Sequence, residues 1–413
     1  MREKISSLLC SLLLITAAAF TGNAQAAAHT NPHAGPNAPK EWTFLVYLNG
    51  NNNLDSFGSM NLNQMEMVGS SDKINIVVQW ASYSKGKAQR LLIKRDNDKK
   101  KVTSPVVQEI GRVDMGDWQS LADFIAWGAK TYPAQHYLVD VWDHGSGWHA
   151  LHATEFGGDN IFHPTDISWD DFSGHHITTK ELGMALARGA QAIGHKIDVY
   201  GSDACLMAMA EVASEMKNSV QYFVGSQDLE PGAGWPYDQI FARWGTRSMN
   251  PRDVAALIVT EYTKSYQRGS NGTQEVTASA YDLSRSDMFE QSIRALGAEM
   301  MKLDNASRAK VIAAAEATAK FTYDDYGDLI DFLNRVDAQR LNVNRAVTAQ
   351  VRTAVSQYLV VNAVTSSWSK KANGISFWLP TSMNYYDSNA QIYSDLAFQH
   401  GSEWANTLQY LLH

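Results

Sequence analysis

His136 to Trp142 (HYLVDVW) and Ile197 to Gly201 (IDVYG) are short apolar runs, and each gives way at once to polar and small residues: Asp143-His144-Gly145-Ser146-Gly147 after the first, Ser202-Asp203-Ala204-Cys205 after the second. Runs of this kind, bounded by glycine and polar residues, read as buried strands. Between them Thr178, with Glu181 three residues on, has the pattern of a capping box opening a helix over Leu182 to Ile193. A helical crossover sets its two strands parallel, so the residues that follow them emerge at one edge of the sheet, where open α/β folds carry their sites. His144 and Cys205 are therefore expected to face one cleft.

The same alternation continues outward. Trp42 to Leu48 (WTFLVYL) reads as a strand ending at Asn49-Gly50, and Asn53 as the cap of a helix carrying Leu54, Phe57, Leu62, Met65 and Met67 up to Gly69. Further strands are expected at Ile74 to Trp80, Gln89 to Arg95 and Gln221 to Gly225, with helices along Trp118 to Trp127 and from near Leu206. The pattern predicts an α/β domain over residues 41–249 with a mostly parallel sheet flanked by helices. Residues 250–413 read as a helix-rich region that adds strands at Glu275 to Tyr281 and Ile375 to Leu379.

The chain of 413 residues is 45% hydrophobic and 19% charged, which is a globular composition. With 43 acidic against 35 basic side chains and no long Lys/Arg run, it lacks the basic footprint that nucleic acid or an anionic membrane surface would require. Residues 1–26 read as a signal peptide: Arg2 and Lys4, an apolar stretch from Leu8 to Phe20, then Ala24-Gln25-Ala26 at the spacing of a cleavage site. The apolar stretch is short for a membrane span. An exported protein, periplasmic or extracellular, is expected, with residues 27–40 as a flexible linker. Cleavage removes Cys10 and leaves Cys205 as a single thiol in an oxidising compartment, either buried and inert or kept for its chemistry.

Chemistry favours the second. A thiolate is a nucleophile, a nearby imidazole takes its proton, and a helix beginning just after Cys205 would lower the thiol pKa. Gly145 and Ser146 can present backbone amides to an oxyanion.

Asp143-His144-Gly145-Ser146-Gly147-Trp148 and Asp203-Ala204-Cys205-Leu206-Met207 resemble the histidine and cysteine motifs of the clostripain-like cysteine peptidases, which have a caspase-like fold. Further matches fall in order along the chain at Asn51 to Leu54, Asp170 to Leu182, Glu230-Pro231-Gly232, Gly234 to Tyr237, Asp328 to Phe332 and Gly374 to Phe377. The resemblance implies a His144 and Cys205 dyad, peptide substrates cleaved after a basic P1 residue, and Asp203 at the floor of the S1 pocket. It also implies that some members process themselves or respond to calcium. Ala233 stands where an aspartate is common in the family; Asp228 and Glu230 are near enough in sequence to replace it, or are solvated loop charges or caps.

Rival readings have less in their favour. His149, His152, His163, His175 and His176 crowd one polar stretch without the spacing of a zinc hydrolase, and Asp159, Asp166, Asp170 and Asp171 lack the alternation of an EF-hand, so no cofactor is expected and calcium is left open by the family resemblance alone, with no motif to support it. Ser146 is not on a Gly-x-Ser-x-Gly elbow and is a poor nucleophile candidate. A non-catalytic secreted binding module on the same scaffold would draw on the 12 Trp and 17 Tyr, but it has no need of both His144 and Cys205. Oligomeric state is not legible.

Overall fold

The computed structural model describes residues 39–149, 166–365, 368 and 371–413. In chain order the strands nearest the site are β1 (Lys40–Gly50), β2 (Ile74–Ser82), β3 (Lys87–Leu92), β4 (Val106–Gly111), β5 (Ala134–Trp142), β6 (Ile167–Asp170), β7 (His175–Ile177), β8 (Ile197–Asp203) and β9 (Val220–Gly225). The run quoted at Trp42 to Leu48 forms the middle of β1, which is paired in parallel on both sides, with β2 and β5. Two further parallel pairings, β5 with β8 and β8 with β9, complete the central part of the sheet. Antiparallel strands close both ends, β3 and β4 on one side, Thr277–Asp282 and Leu359–Val364 on the other.

The uninterrupted apolar character of β1 follows from burial on two faces. Leu45 and Tyr47 pack into the core formed with α2 (Trp118–Thr131), α3 (Thr179–Ile193) and α4 (Ala210–Met216). Trp42, Phe44, Val46 and Leu48 pack into the opposite core, formed with α1 (Asp55–Glu66), α5 (Tyr237–Trp244) and α6 (Pro251–Ser265). The capping box is present as expected: the Thr178 side chain accepts from the Glu181 amide and Glu181 reaches back to the Thr178 amide, an arrangement stabilising a helix start by about 1 kcal/mol.

Two local expectations are corrected. Asn53 does not cap α1; Leu54 occupies the cap position with no side-chain bond, and the Asn53 side chain is turned elsewhere. The helix expected near Leu206 begins only at Ala210, because Leu206 sits in the left-handed region at φ 64°, which a continuous helix cannot accommodate.

The Ile375 to Leu379 run supplies a strand, Ser376–Trp378, but in a separate three-stranded sheet with Lys320–Phe321 and Tyr323–Asp328. This small sheet braces the loops that follow β5 and β8. The Ser376 amide and hydroxyl both donate to the Ala208 carbonyl, at 3.2 and 3.0 Å, and the Tyr326 hydroxyl donates to the Ser146 carbonyl at 2.8 Å. Residues beyond the boundary expected at 249 thus complete the main sheet and hold the site's loops. The proposed signal peptide, the linker up to residue 38, His152, Asp159 and His163 lie outside the described residues. No described helix is long and apolar enough to cross a membrane.

Candidate active site

Register brings the two key side chains together. Trp142 of β5 is level with Asp203 of the neighbouring parallel strand β8, so His144 and Cys205, each two residues further on, leave adjacent strands at the same height. Adjacent strands lie about 4.8 Å apart. Both residues line one cavity of about 180 Å³, with Leu54, Asp203, Leu229 and Glu230 among its other walls. The loops touch closely: a Cβ on Gly145 would come within 2.6 Å of the Cys205 carbonyl oxygen, so only glycine fits there.

Cys205 is half-buried, and its Sγ accepts a hydrogen bond from the Glu230 amide at 3.2 Å. Burial pushes the thiol up to about 11, with the Asp228 and Asp203 carboxylates adding to the rise and the Glu230 amide opposing it. The lowered pKa expected from a helix N-terminus is therefore not found, since α4 starts five residues later.

His144 Nε2 lies 2.6 Å from the side-chain oxygen Oδ1 of Asn53. An amide oxygen can only accept, so Nε2 carries the proton and Nδ1 is the basic nitrogen. Asn52, the preceding residue, is fixed by donating to Asp143 Oδ1 at 2.6 Å and to the Trp169 carbonyl at 2.9 Å. Asn53 was read as a helix cap, and the only sequence signal for its other role was its place in the Asn51 to Leu54 block.

Sharing the cavity with the thiol, and bonded to Tyr237 at the start of α5, is a nest of acids. Asp203 is buried, and its Oδ2 accepts from the Trp235 amide at 3.1 Å and from the Tyr237 hydroxyl at 2.7 Å. The same hydroxyl lies 2.7 Å from Oδ2 of Asp140, which is fully buried. Glu230 hydrogen-bonds to Asp203 through its side chain, and its Oε2 is buried without a hydrogen-bond partner, as is the hydroxyl of Tyr262 nearby. Burial, reinforced by mutual repulsion, holds Asp140 and Glu230 well above the usual carboxylate range. Asp203, with its ring of donors, is pushed up only to about 6. Of the three, Asp203 is the carboxyl whose surroundings most favour the charged form. Asp140 and Tyr237 were not recognised from the sequence as part of this nest, because nothing local links positions 140, 203 and 237.

Other expected residues separate. Glu230 is on the cavity wall, whereas the Asp228 carboxylate is turned to the Thr322 hydroxyl at 3.2 Å and does not line the cavity. Ala233 is packed against the core on the α1, α5 and α6 face. Ser146 is fully buried, and its amide is engaged at 3.0 Å by the Asp166 carbonyl in a bridge between Gly145 and Ile167. That bridge uses the His144 carbonyl and the Ser146 amide and leaves the Gly145 amide out. With its amide so engaged, Ser146 is corrected as an oxyanion donor. His149 is buried beside Asp325, while His175 pairs with Asp114 on the surface. Among the described residues no group of three or more His, Cys, Asp or Glu side chains is arranged to hold a metal ion.

Comparison with known proteins places this architecture. A sequence profile of the clostripain family matches residues 46–411. Clostripain from Hathewaya histolytica is 26% identical over an alignment of 207 residues that covers 44% of this chain and 38% of that protein, so the match spans well under half of the relative's length. A secreted C11 cysteine protease from Bacteroides thetaiotaomicron, solved with an irreversible peptide inhibitor, superposes with a TM-score of 0.67 at 19% identity, over 88% of this chain and 99% of that one. An inactive zymogen C11 protease from Parabacteroides distasonis gives a TM-score of 0.67 at 18% identity, over 88% and 98%. At those identities the structures speak for the shared caspase-like fold, and the profile, running from within β1 to the last helix, speaks for descent: the chain belongs to the clostripain family.

Proposed function

We propose that this protein is an exported cysteine endopeptidase that cleaves after Arg or Lys, with Cys205 as nucleophile and His144 as its proton-transfer partner. The observation that carries the reading is a thiol and an imidazole at matched register on one cavity whose lining includes the buried acids Asp203 and Glu230. A cationic P1 side chain complements the Asp203 carboxylate, and Glu230 supplies a second carboxyl on the cavity wall.

A thiol held near 11 is not a thiolate at rest, so proton transfer belongs to the chemical step. His144 Nδ1 takes the Sγ proton as the sulfur adds to the substrate carbonyl, and the oxyanion faces the Gly145 amide. The carbon–nitrogen bond then breaks as the imidazolium protonates the leaving amine, giving a thioester. Water, deprotonated by His144, hydrolyses the thioester and restores the thiol. The signal-like residues 1–26 and the secreted character of the Bacteroides thetaiotaomicron protein support export.

A fluorogenic peptide library varied at P1 tests the specificity. Turnover concentrated on Arg and Lys is the expected result; a preference for apolar or acidic P1 would remove Asp203 and Glu230 from substrate binding.

Asn53 acts here as a positioning residue for the imidazole. Asn53→Ala is expected to lower kcat by about 10- to 100-fold with little change in KM, as for loss of an orienting hydrogen bond. Asn53→Asp keeps the acceptor and adds a negative charge beside the ring, so it should recover part of kcat and move the acid limb of the pH profile upward. An unmoved limb would show that Asn53 matters only for folding.

A further inference from the structure

Past the carboxyl ends of β1 and β2, away from the acid nest, two exposed aromatic rings lie stacked. Tyr83, at the end of β2, and Phe172, in the β6–β7 hairpin, have centroids 4.8 Å apart and planes 3° from parallel, and remain 50% and 43% exposed. The Arg112 guanidinium lies over the Phe172 ring, 5.2 Å from its centre, and no described carboxylate forms an ion pair with it. A cavity of about 180 Å³ opens beside them, lined by Asn51, Arg112, Asp114 and Phe172 among others. Exposed stacked rings with an adjoining uncommitted cation are unusual on a surface that has only solvent to face.

The platform is rigidly tied to the loop that orients His144. The Tyr83 amide donates to the Gly50 carbonyl and the Asp171 amide to the Asn51 carbonyl, both at 2.9 Å. Asp170, fully buried, accepts from the Asn51 side chain at 2.8 Å and from the Phe172 amide at 2.9 Å. Two residues on from Asn51, Asn53 holds the imidazole.

Direction follows from the chemistry. The imidazole protonates the leaving amine, so the chain beyond the scissile bond departs on the His144 side, away from the acid nest that takes P1. From Cys205 on the β8 edge, the ends of β5, β1 and β2 follow in order, and three spacings of about 4.8 Å make roughly 14 Å. An extended peptide covers that in about four residues at roughly 3.3 Å each.

We propose that Tyr83, Phe172 and Arg112 form a primed-side subsite that takes an aromatic or large apolar side chain near P3′ or P4′, with an acidic side chain beside it facing Arg112. The proposal rests on the peptidase reading above, and the test separates the two. Two substrates share one P1-Lys acyl part: a coumarylamide with no primed residues, and an internally quenched peptide carrying Phe-Asp at P3′–P4′. Phe172→Ala should lower kcat/KM for the long peptide about 3- to 10-fold, the range of one aromatic contact, and leave the coumarylamide unchanged. Arg112→Glu should reverse the preference from Phe-Asp to Phe-Lys. Equal losses on both substrates, or none on either, would overturn the subsite while leaving the peptidase reading intact. If the unaltered protein cleaves neither substrate, the reading of a peptidase cutting after Lys fails and the subsite with it.

Discussion

Cys205→Ala is expected to abolish hydrolysis of P1-Lys and P1-Arg coumarylamides, a loss of at least about 10⁴-fold, since no covalent route remains without the sulfur. The substitution removes one half-buried atom that accepts from the Glu230 amide and donates to the Glu230 carbonyl, so thermal melting should move by no more than a few degrees. His144→Ala should cost about 10² to 10⁴ in kcat, the range for a lost general base. Combining the two should cost little more than Cys205→Ala alone, because residues that act as one unit are not additive. Steady-state rates of the three variants and their melting curves decide the matter. Residual turnover in Cys205→Ala comparable to the unaltered protein would transfer the chemistry to some other group.

The second large effect concerns P1. Asp203→Asn is expected to erase most of the discrimination between P1-Lys and a neutral isostere such as norleucine, a ratio of kcat/KM that falls by about 100-fold. Asp203 carries the charge because it lines the cavity and accepts from the Trp235 amide and the Tyr237 hydroxyl, whereas the fully buried Asp140 is held higher by desolvation and by Asp203 itself. Glu230→Gln should have a smaller effect at neutral pH, since burial and the neighbouring Asp203 keep Glu230 well above the usual carboxylate range. The pH dependence has a definite sign. Asp203 is pushed up to about 6, so the binding form is present above that value and the Lys preference fades as pH falls through it. A preference that survives unchanged at pH 5 would place the cation elsewhere.

The sheet was legible because its signals are local. Runs such as HYLVDVW and IDVYG announce buried strands, the Thr178 and Glu181 pair announces a helix start, and parallel crossover geometry then places His144 beside Cys205. What stayed hidden depends on contacts between distant positions. Asp140 reads as a polar break in an apolar strand; its meaning comes from Tyr237, which bonds it and Asp203 together. Asn53 has the composition of a cap, and only the position of the imidazole diverts it. Leu206 has no sequence mark of its left-handed backbone, and that one residue delays α4 to Ala210 and denies the thiol a helix dipole.

The family blocks at Asp328 and Gly374 gain a physical account in the same way. Asp328 accepts from the Gln227 side chain at 3.1 Å and from the Asn373 amide at 2.7 Å, and the Gly374 amide donates to Gln227 at 2.7 Å. Gln227 lies three residues before Glu230, so these blocks fix the loop that supplies both the amide on Sγ and the second acid of the cavity.

The central claim is that the Cys205 sulfur is acylated by a substrate with a basic P1 residue. Acid quenching during turnover of a P1-Lys peptide ester, followed by mass spectrometry of the digested protein, reads this directly. The acyl mass should appear on the peptide containing Cys205, be lost on treatment with hydroxylamine, and be absent from Cys205→Ala. Turnover accompanied by no adduct on that peptide, or by an acyl group on Ser146 or any other residue, would contradict the account.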